Sequence, residues 1–143
     1  TVNASIGGDT TAGGLSRINE ALRYAKPSLT IIELGGNDGL RGLPIDEMRN
    51  NLEQIIVTTK TSGSEVMLLG IQLPPNYGPT YTKAFSDSFS LLAGKHDVAL
   101  VPSMLSGFED DPNYFQADQI HPSADAQVLI LDNVWPTIYQ LLK

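Results

Sequence analysis

The sequence has 143 residues, with 9 Lys+Arg against 16 Asp+Glu, a net charge of −7 and no cysteine. That length suits one domain rather than two, and a domain of this size buries roughly 68–70% of its unfolded surface, enough for a real core. The acidic balance, without any Lys/Arg cluster, excludes nucleic acid and anionic membrane surfaces as natural partners. The lack of cysteine removes disulfides, thiolate metal sites and a thiol nucleophile, and no apolar run approaches the roughly 18 residues of a membrane span.

In chain order, Val2–Ile6 is a short strand candidate at the very start, ended by Gly7-Gly8-Asp9. Thr11 to Ala25 carries Leu15, Ile18 and Leu22 on one stripe, a helix stopped before Pro27. Leu29–Leu34 is β-branched and apolar, a buried strand that Gly35-Gly36-Asn37-Asp38-Gly39 ends sharply. Pro44 then opens a helix with Asp46 and Glu47 at its positive dipole end and Met48, Leu52, Ile55 and Ile56 on its buried face. Glu65–Ile71 reads as a third strand, followed by the rigid loop Leu73-Pro74-Pro75-Asn76-Tyr77-Gly78-Pro79. Tyr81–Ala93 is a helix with Phe85, Phe89 and Leu92 aligned, and Val98–Val101 is a fourth short strand. The stretch 102–120 is irregular and acidic at Glu109-Asp110-Asp111. The last helix starts near Ser123, with Ala124, Val128, Leu131, Trp135, Ile138 and Leu142 at helical spacing, and Pro136 predicts a kink or break in it. Strands alternating with helices specify a parallel α/β sheet.

Ligands of such sheets bind outside the carboxyl ends of the strands. Those exits carry Gly8-Asp9, Asn37-Asp38, the Pro-rich loop and, beyond the last strand, Asp118-Gln119-Ile120-His121-Pro122. Asp118 and His121, three residues apart, can face one another, and a carboxylate on one imidazole nitrogen fixes the tautomer for proton transfer at the other. The same spacing also suits an Asp that caps a turn beside a surface histidine. Gly8 offers a backbone N–H and Asn37 a side-chain amide to developing negative charge, although both residue types also fill turns that need φ > 0. Asp9 and Asp38 read as supports for these two loops.

Glu33 lies in a strand and needs a partner there. His96 is explained by a helix C-terminus. The run 109–111 lacks the ligand spacing of a calcium loop and reads as a solvated acidic loop. Ser5, Ser16, Ser62, Ser86, Ser103 and Ser123 all lack the strand-to-helix turn that presents a nucleophile. The residues thus supply a base, its orienter and an oxyanion hole without a nucleophile. Metal-assisted hydrolysis through Asp9, Asp38, Asp118 and His121 is one alternative, requiring three or more of these to converge. A binding module on the same sheet is another.

N-A-S-I-x-G-D-T-T-A-G-G at Asn3–Gly14, E-L-G-G-N-D-G-L-R-G at Glu33–Gly42, L-P-x-N-Y-G at Leu73–Gly78 and D-x-x-H-P at Asp118–Pro122 together resemble the SGNH (GDSL-type) serine hydrolases. The likeness is to their bacterial thioesterase, lysophospholipase and arylesterase group, and it extends over the whole chain. It implies a three-layer, flavodoxin-like parallel sheet with helices on both faces and strand order 2-1-3-4-5. It implies hydrolysis of carboxylic esters, extending to thioesters and lysophospholipids, without a cofactor or metal. Gly8 and Asn37 become the oxyanion hole, His121 the general base and Asp118 its orienter. Leu40, Leu73, Pro74 and Tyr77, with Leu43 and Pro75, either line an apolar cleft for an acyl or aryl group or pack the loops themselves. The family's G-D-S block with the nucleophilic serine does not occur in these residues. The expectation is therefore an SGNH domain over 1–143 lacking its central first strand, completed by an N-terminal fragment or a second copy. The resemblance also implies a periplasmic or secreted enzyme.

Overall fold

The computed structural model describes residues 1–143. The first helix, α1 (Thr11–Ala25), starts where the Thr10 side chain accepts from the Gly13 N–H, and it ends at Lys26 in the left-handed conformation, whose N–H bonds the Leu22 carbonyl. Three strands follow in the order β1 (Leu29–Ile32), β2 (Glu65–Leu69) and β3 (Ala99–Val101), all parallel, with Ile31 opposite Met67 and Leu68 opposite Leu100. Between them run α2 (Gly36–Leu40), α3 (Ile45–Thr61) and α4 (Pro79–His96), and α5 (Gln127–Leu141) closes the chain.

The central strand explains the layers. Val66, Met67, Leu68 and Leu69 are all buried, as a strand covered on both faces must be. Val66 and Leu68, with Ile32, pack against Met48, Leu52, Ile55 and Ile56 of α3 and Phe85, Phe89 and Leu92 of α4. Leu15 and Ile18 of α1 join this core from its margin. Met67, Leu69 and Val101 point the other way, onto Val134 of α5. Helices therefore cover both faces of the sheet, the three-layer arrangement expected from the sequence.

Four expectations are corrected. Val2–Ile6 forms no strand, because no neighbouring backbone pairs with it; Val2 and Ile6 remain exposed. The glycine-rich stretch after β1 is a short helix, α2, rather than a plain turn. Pro136 does not break α5: it sits on the solvent side, where the carbonyl it deprives of a partner meets water, while Val134, Ile138 and Leu141 hold the helix to the sheet. The apolar spacing picked out in α5 is largely its outer face, since Val128, Leu131, Trp135 and Leu142 are more than half exposed.

The strand exits are held close together. Gly70 donates its N–H to the Val101 carbonyl at 2.8 Å, and a Cβ at Gly70 would stand 2.2 Å from the backbone oxygen of Pro102. Backbone cannot yield as a flexible side chain can. Gly70→Ala is expected to lower stability by about 1–3 kcal/mol through overpacking, checked by urea denaturation against wild type.

Candidate active site

Two loops distant in sequence meet beyond the carboxyl end of β1. In the first, the chain turns at Gly8 with φ +77, the Asp9 N–H bonding back to the Ile6 carbonyl at 3.2 Å. This conformation favours glycine, and it leaves the Gly8 N–H solvent-facing and without an acceptor in the protein. In the second loop Gly35 (φ +113) reverses the chain against Met48 and Phe89 and launches α2, with Asn37 as its second residue. Asn37 is not in the left-handed region, so turn geometry does not account for an asparagine there. Its Nδ2 donates to the Asp9 carbonyl at 3.0 Å. A primary amide has two hydrogens, so this bond orients the group and leaves the second N–H for another acceptor. Arg41, just past α2, donates to the Gly8 carbonyl at 2.9 Å and ties the loops a second time.

The join rests on a buried carboxylate. Asp38 is 3% exposed and accepts from the Thr11 backbone N–H at 2.9 Å and the Thr11 hydroxyl at 2.6 Å. The Thr11 oxygen in turn accepts from Asn51 Nδ2 at 3.1 Å. Asp38 thereby places its charge at the N-terminus of α1, where the helix dipole favours it. Asp9 supports its own turn through the Thr10 N–H at 3.0 Å and pairs with Arg17 at 2.9 Å.

The Asp118–His121 pair is built separately, in the loop between β3 and α5. Phe115 and Pro122 form an antiparallel bridge, Gln116 N–H bonds the His121 carbonyl at 2.8 Å, and Gln119 takes φ +57 at the tip. Within this turn Asp118 Oδ1 accepts from the backbone N–H groups of Ile120 (2.9 Å) and His121 (3.0 Å), while Oδ2 holds His121 Nδ1 at 2.7 Å. The His121 N–H, the imidazole and the Ile120 N–H together pull the Asp118 carboxyl down to about 2. Asp118 is thus both the turn cap and the imidazole partner, so the two readings of its spacing are one. His121 Nε2 has no partner in the protein, and the side chain is 69% exposed. No hydrogen bond links this pair to the Gly8–Asn37 pair. Nearby, the buried Ser123 Oγ is without a partner.

The expected cleft residues have mixed placements. Leu73 packs onto the core and against Gly39. Tyr77 donates its hydroxyl to the Leu40 carbonyl at 2.8 Å, and Pro74 is exposed. Glu33, just past β1, is exposed and its side chain has no hydrogen-bond partner, and partial desolvation by its surroundings pushes its carboxyl up. His96 ends α4 with its ring on Glu53 at 3.0 Å, a brace between helices. The four-residue metal reading fails on geometry. No three His, Asp or Glu side chains converge, Asp9 being committed to Arg17 and Asp38 to Thr11. Sequence reasoning missed Thr11, Arg41 and Asn51; the need of a buried Asp38 for donors was the signal available for Thr11. Thr11→Val removes the shorter of the two bonds to Asp38 and is expected to cost about 1.5–3 kcal/mol, read by thermal and urea denaturation.

Residues 1–129 match the GDSL-like lipase/acylhydrolase family. The chain is 50% identical over 141 residues to esterase TesA of Pseudomonas aeruginosa, covering 99% of this chain and 70% of that protein. It is 43% identical over 131 residues to thioesterase 1/protease 1/lysophospholipase L1 of Escherichia coli K12, covering 92% of this chain and 63% of the relative. A crystal structure of TesA superposes with a TM-score of 0.94 at 50% identity, covering 98% of this chain and 78% of that one. The chain therefore spans about two thirds of the length of these curated relatives. The chain belongs to the GDSL-like lipase/acylhydrolase family.

Proposed function

We propose that these residues form the larger part of a serine hydrolase of carboxylic esters, acting also on thioesters and lysophospholipids. The reading is carried by the Asp118–His121 pair, in which a carboxylate held by two backbone N–H groups grips Nδ1 and leaves Nε2 free to take a proton. The names of the relatives, an esterase and a thioesterase/lysophospholipase, support the substrate class.

The mechanism follows from the groups in place. A serine Oγ attacks the acyl carbonyl while His121 Nε2 accepts its proton, and Asp118 stabilises the imidazolium. The tetrahedral oxyanion is met by the Gly8 N–H, the second Asn37 N–H and the serine's own N–H. Collapse of the intermediate expels the alcohol or thiol, which takes its proton from His121. Water, activated by the same histidine, then releases the acid from the acyl-enzyme.

The nucleophile belongs, in this reading, to a strand–helix unit outside the 143 residues, supplied by an N-terminal fragment or a second copy. The outer edge of β1 is unpaired, with Ile31 44% exposed, and the apolar outer face of α5 lies open. A strand on that edge and a helix over that face would cover both. The unit and residues 1–143 would then make one SGNH domain. Leu40, Pro74 and the Tyr77 ring would line the acyl or aryl cleft, with Leu73 behind them. A periplasmic or secreted location is part of this reading and is supported by the resemblance alone; no helix is long and apolar enough to cross a membrane.

Labelling the complete protein with a fluorophosphonate tests the class: wild type labels and His121→Ala does not, whereas absence of labelling in both favours a binding module. Asn37→Ala is expected to lower kcat by about 10²–10³ with little change in KM, measured on a p-nitrophenyl ester, and a loss below about threefold would remove Asn37 from the oxyanion hole. A series of p-nitrophenyl esters of rising chain length checks the apolar cleft, for which flat rates would be the adverse result. The Asp118 carboxyl titrates from its ordinary 3.8 to about 2 on folding, so its share of stability is complete above about pH 4 and is lost only as pH falls towards 2. Carbon NMR of the Asp118 carboxyl is expected to show that midpoint, and to rise only part of the way towards 3.8 in His121→Ala, which keeps the two backbone donors.

A further inference from the structure

The turn that follows Asn37 is held from outside by two tyrosines. Tyr77 donates its hydroxyl to the Leu40 carbonyl and Tyr81 to the Leu43 carbonyl, each at 2.8 Å. These carbonyls bracket the segment in which α2 ends and the chain reverses through Gly42 (φ +64). The two rings lie side by side, centroids 6.4 Å apart and planes 28° from parallel, four residues apart across the start of α4. Their base is stiff: Pro75 opens the 3₁₀ turn Pro75–Tyr77, and Pro79 opens α4. The seat beneath is tight as well, since a Cβ on Gly39 would come within 2.7 Å of Leu73 and Phe85. Inside the turn, Leu43 N–H bonds the Asp38 carbonyl at 2.9 Å and Arg41 N–H bonds the Asn37 carbonyl at 3.2 Å. A displacement of Leu40 or Leu43 is thus passed through one peptide hydrogen bond to Asn37 or its neighbour.

We propose that Tyr77 and Tyr81 are positioning residues for the Asn37 amide, a pair of hydroxyl clamps that fix the turn behind it from the Pro-rich loop between β2 and α4. This rests on the oxyanion role given to Asn37 above. Burial, the Asp38 charge and Tyr77 all push the Tyr81 hydroxyl above its usual range. Both hydroxyls are spent on backbone carbonyls of the turn, so the pair acts through Asn37. Its loss costs alignment rather than binding, and misplacements on the order of 1 Å can cost up to about 10²-fold in rate.

The test is Tyr77→Phe, Tyr81→Phe and the double variant in the complete enzyme, all of which keep the rings and lose the hydroxyls. In the double variant kcat is expected to fall about tenfold with KM within about twofold, and hydrogen exchange of the Arg41 and Leu43 amides to speed up at least about fivefold. The two Asn37 side-chain amide protons, one of them held by the Asp9 carbonyl, are expected to move from their bonded shifts towards those of a free asparagine amide. A fall in melting temperature with kcat and the Asn37 signals unchanged would overturn the proposal, leaving the tyrosines purely structural. A rise in KM that grows with acyl-chain length, at constant kcat, would overturn it in favour of substrate contact. Should wild type prove inactive on esters, the oxyanion reading falls, while exchange and the Asn37 signals still decide whether the clamp exists. The Tyr81→Phe single variant, which loses only the more exposed bond, keeps the comparison open if the double variant fails to fold.

Discussion

Everything at the donor side of the site depends on one buried carboxylate. Asp38 is enclosed, and a charge in that position is tolerable only because two N–H/O–H donors from Thr11 and the positive end of α1 meet it. Those donors arrive from 27 residues earlier in the chain, so the interaction is also the joint between the first loop and the second. Once it forms, the Asn37 amide is brought against the Asp9 carbonyl and Arg41 against Gly8. Precise placement of an uncharged donor is thereby secured by the cost of leaving a charged neighbour unsatisfied.

The Asp118–His121 pair follows a different strategy. Asp118 and His121 are three residues apart, and their turn supplies its own backbone donors, so the pair is assembled without help from the core. Local construction makes this half insensitive to the packing of the sheet, whereas the donor half inherits its order from α1, α3 and the strand exits. Catalytic sites at the ends of parallel strands commonly combine elements in this way, with rigid scaffolding beneath and chemistry on loops.

Much of this was legible in the sequence. The helix over Thr11–Ala25 and the buried run around Val66–Leu69 are set by periodicity and by a continuous apolar stretch, and they form as read. Asp118 and His121 were visible because their contact is local. The joint between Thr11 and Asp38 was not, since pattern arguments see neighbours along the chain and this bond spans 27 residues. Val2–Ile6 has strand composition but no partner, and composition cannot report a partner's absence. In α5 the apolar residues occupy both sides, so spacing alone could not say which side meets the sheet: Val134 and Ile138 do, and Trp135 and Leu131 do not. α2 was hidden by its glycines, which mark a turn in statistics but here allow the backbone to lie against Leu73 and Phe85.

The unpaired edge of β1 has a consequence for how this polypeptide behaves in a tube. Leu-Thr-Ile-Ile presents a row of free peptide groups beside an exposed isoleucine, with no proline, charge or bulge among the four to discourage pairing. Such an edge does not discriminate by origin: any extended, apolar backbone of suitable length can dock there, including another β1. Two copies of the chain that meet along β1 would each offer the other the same unpaired groups, against the repulsion of a net charge of −7 on each.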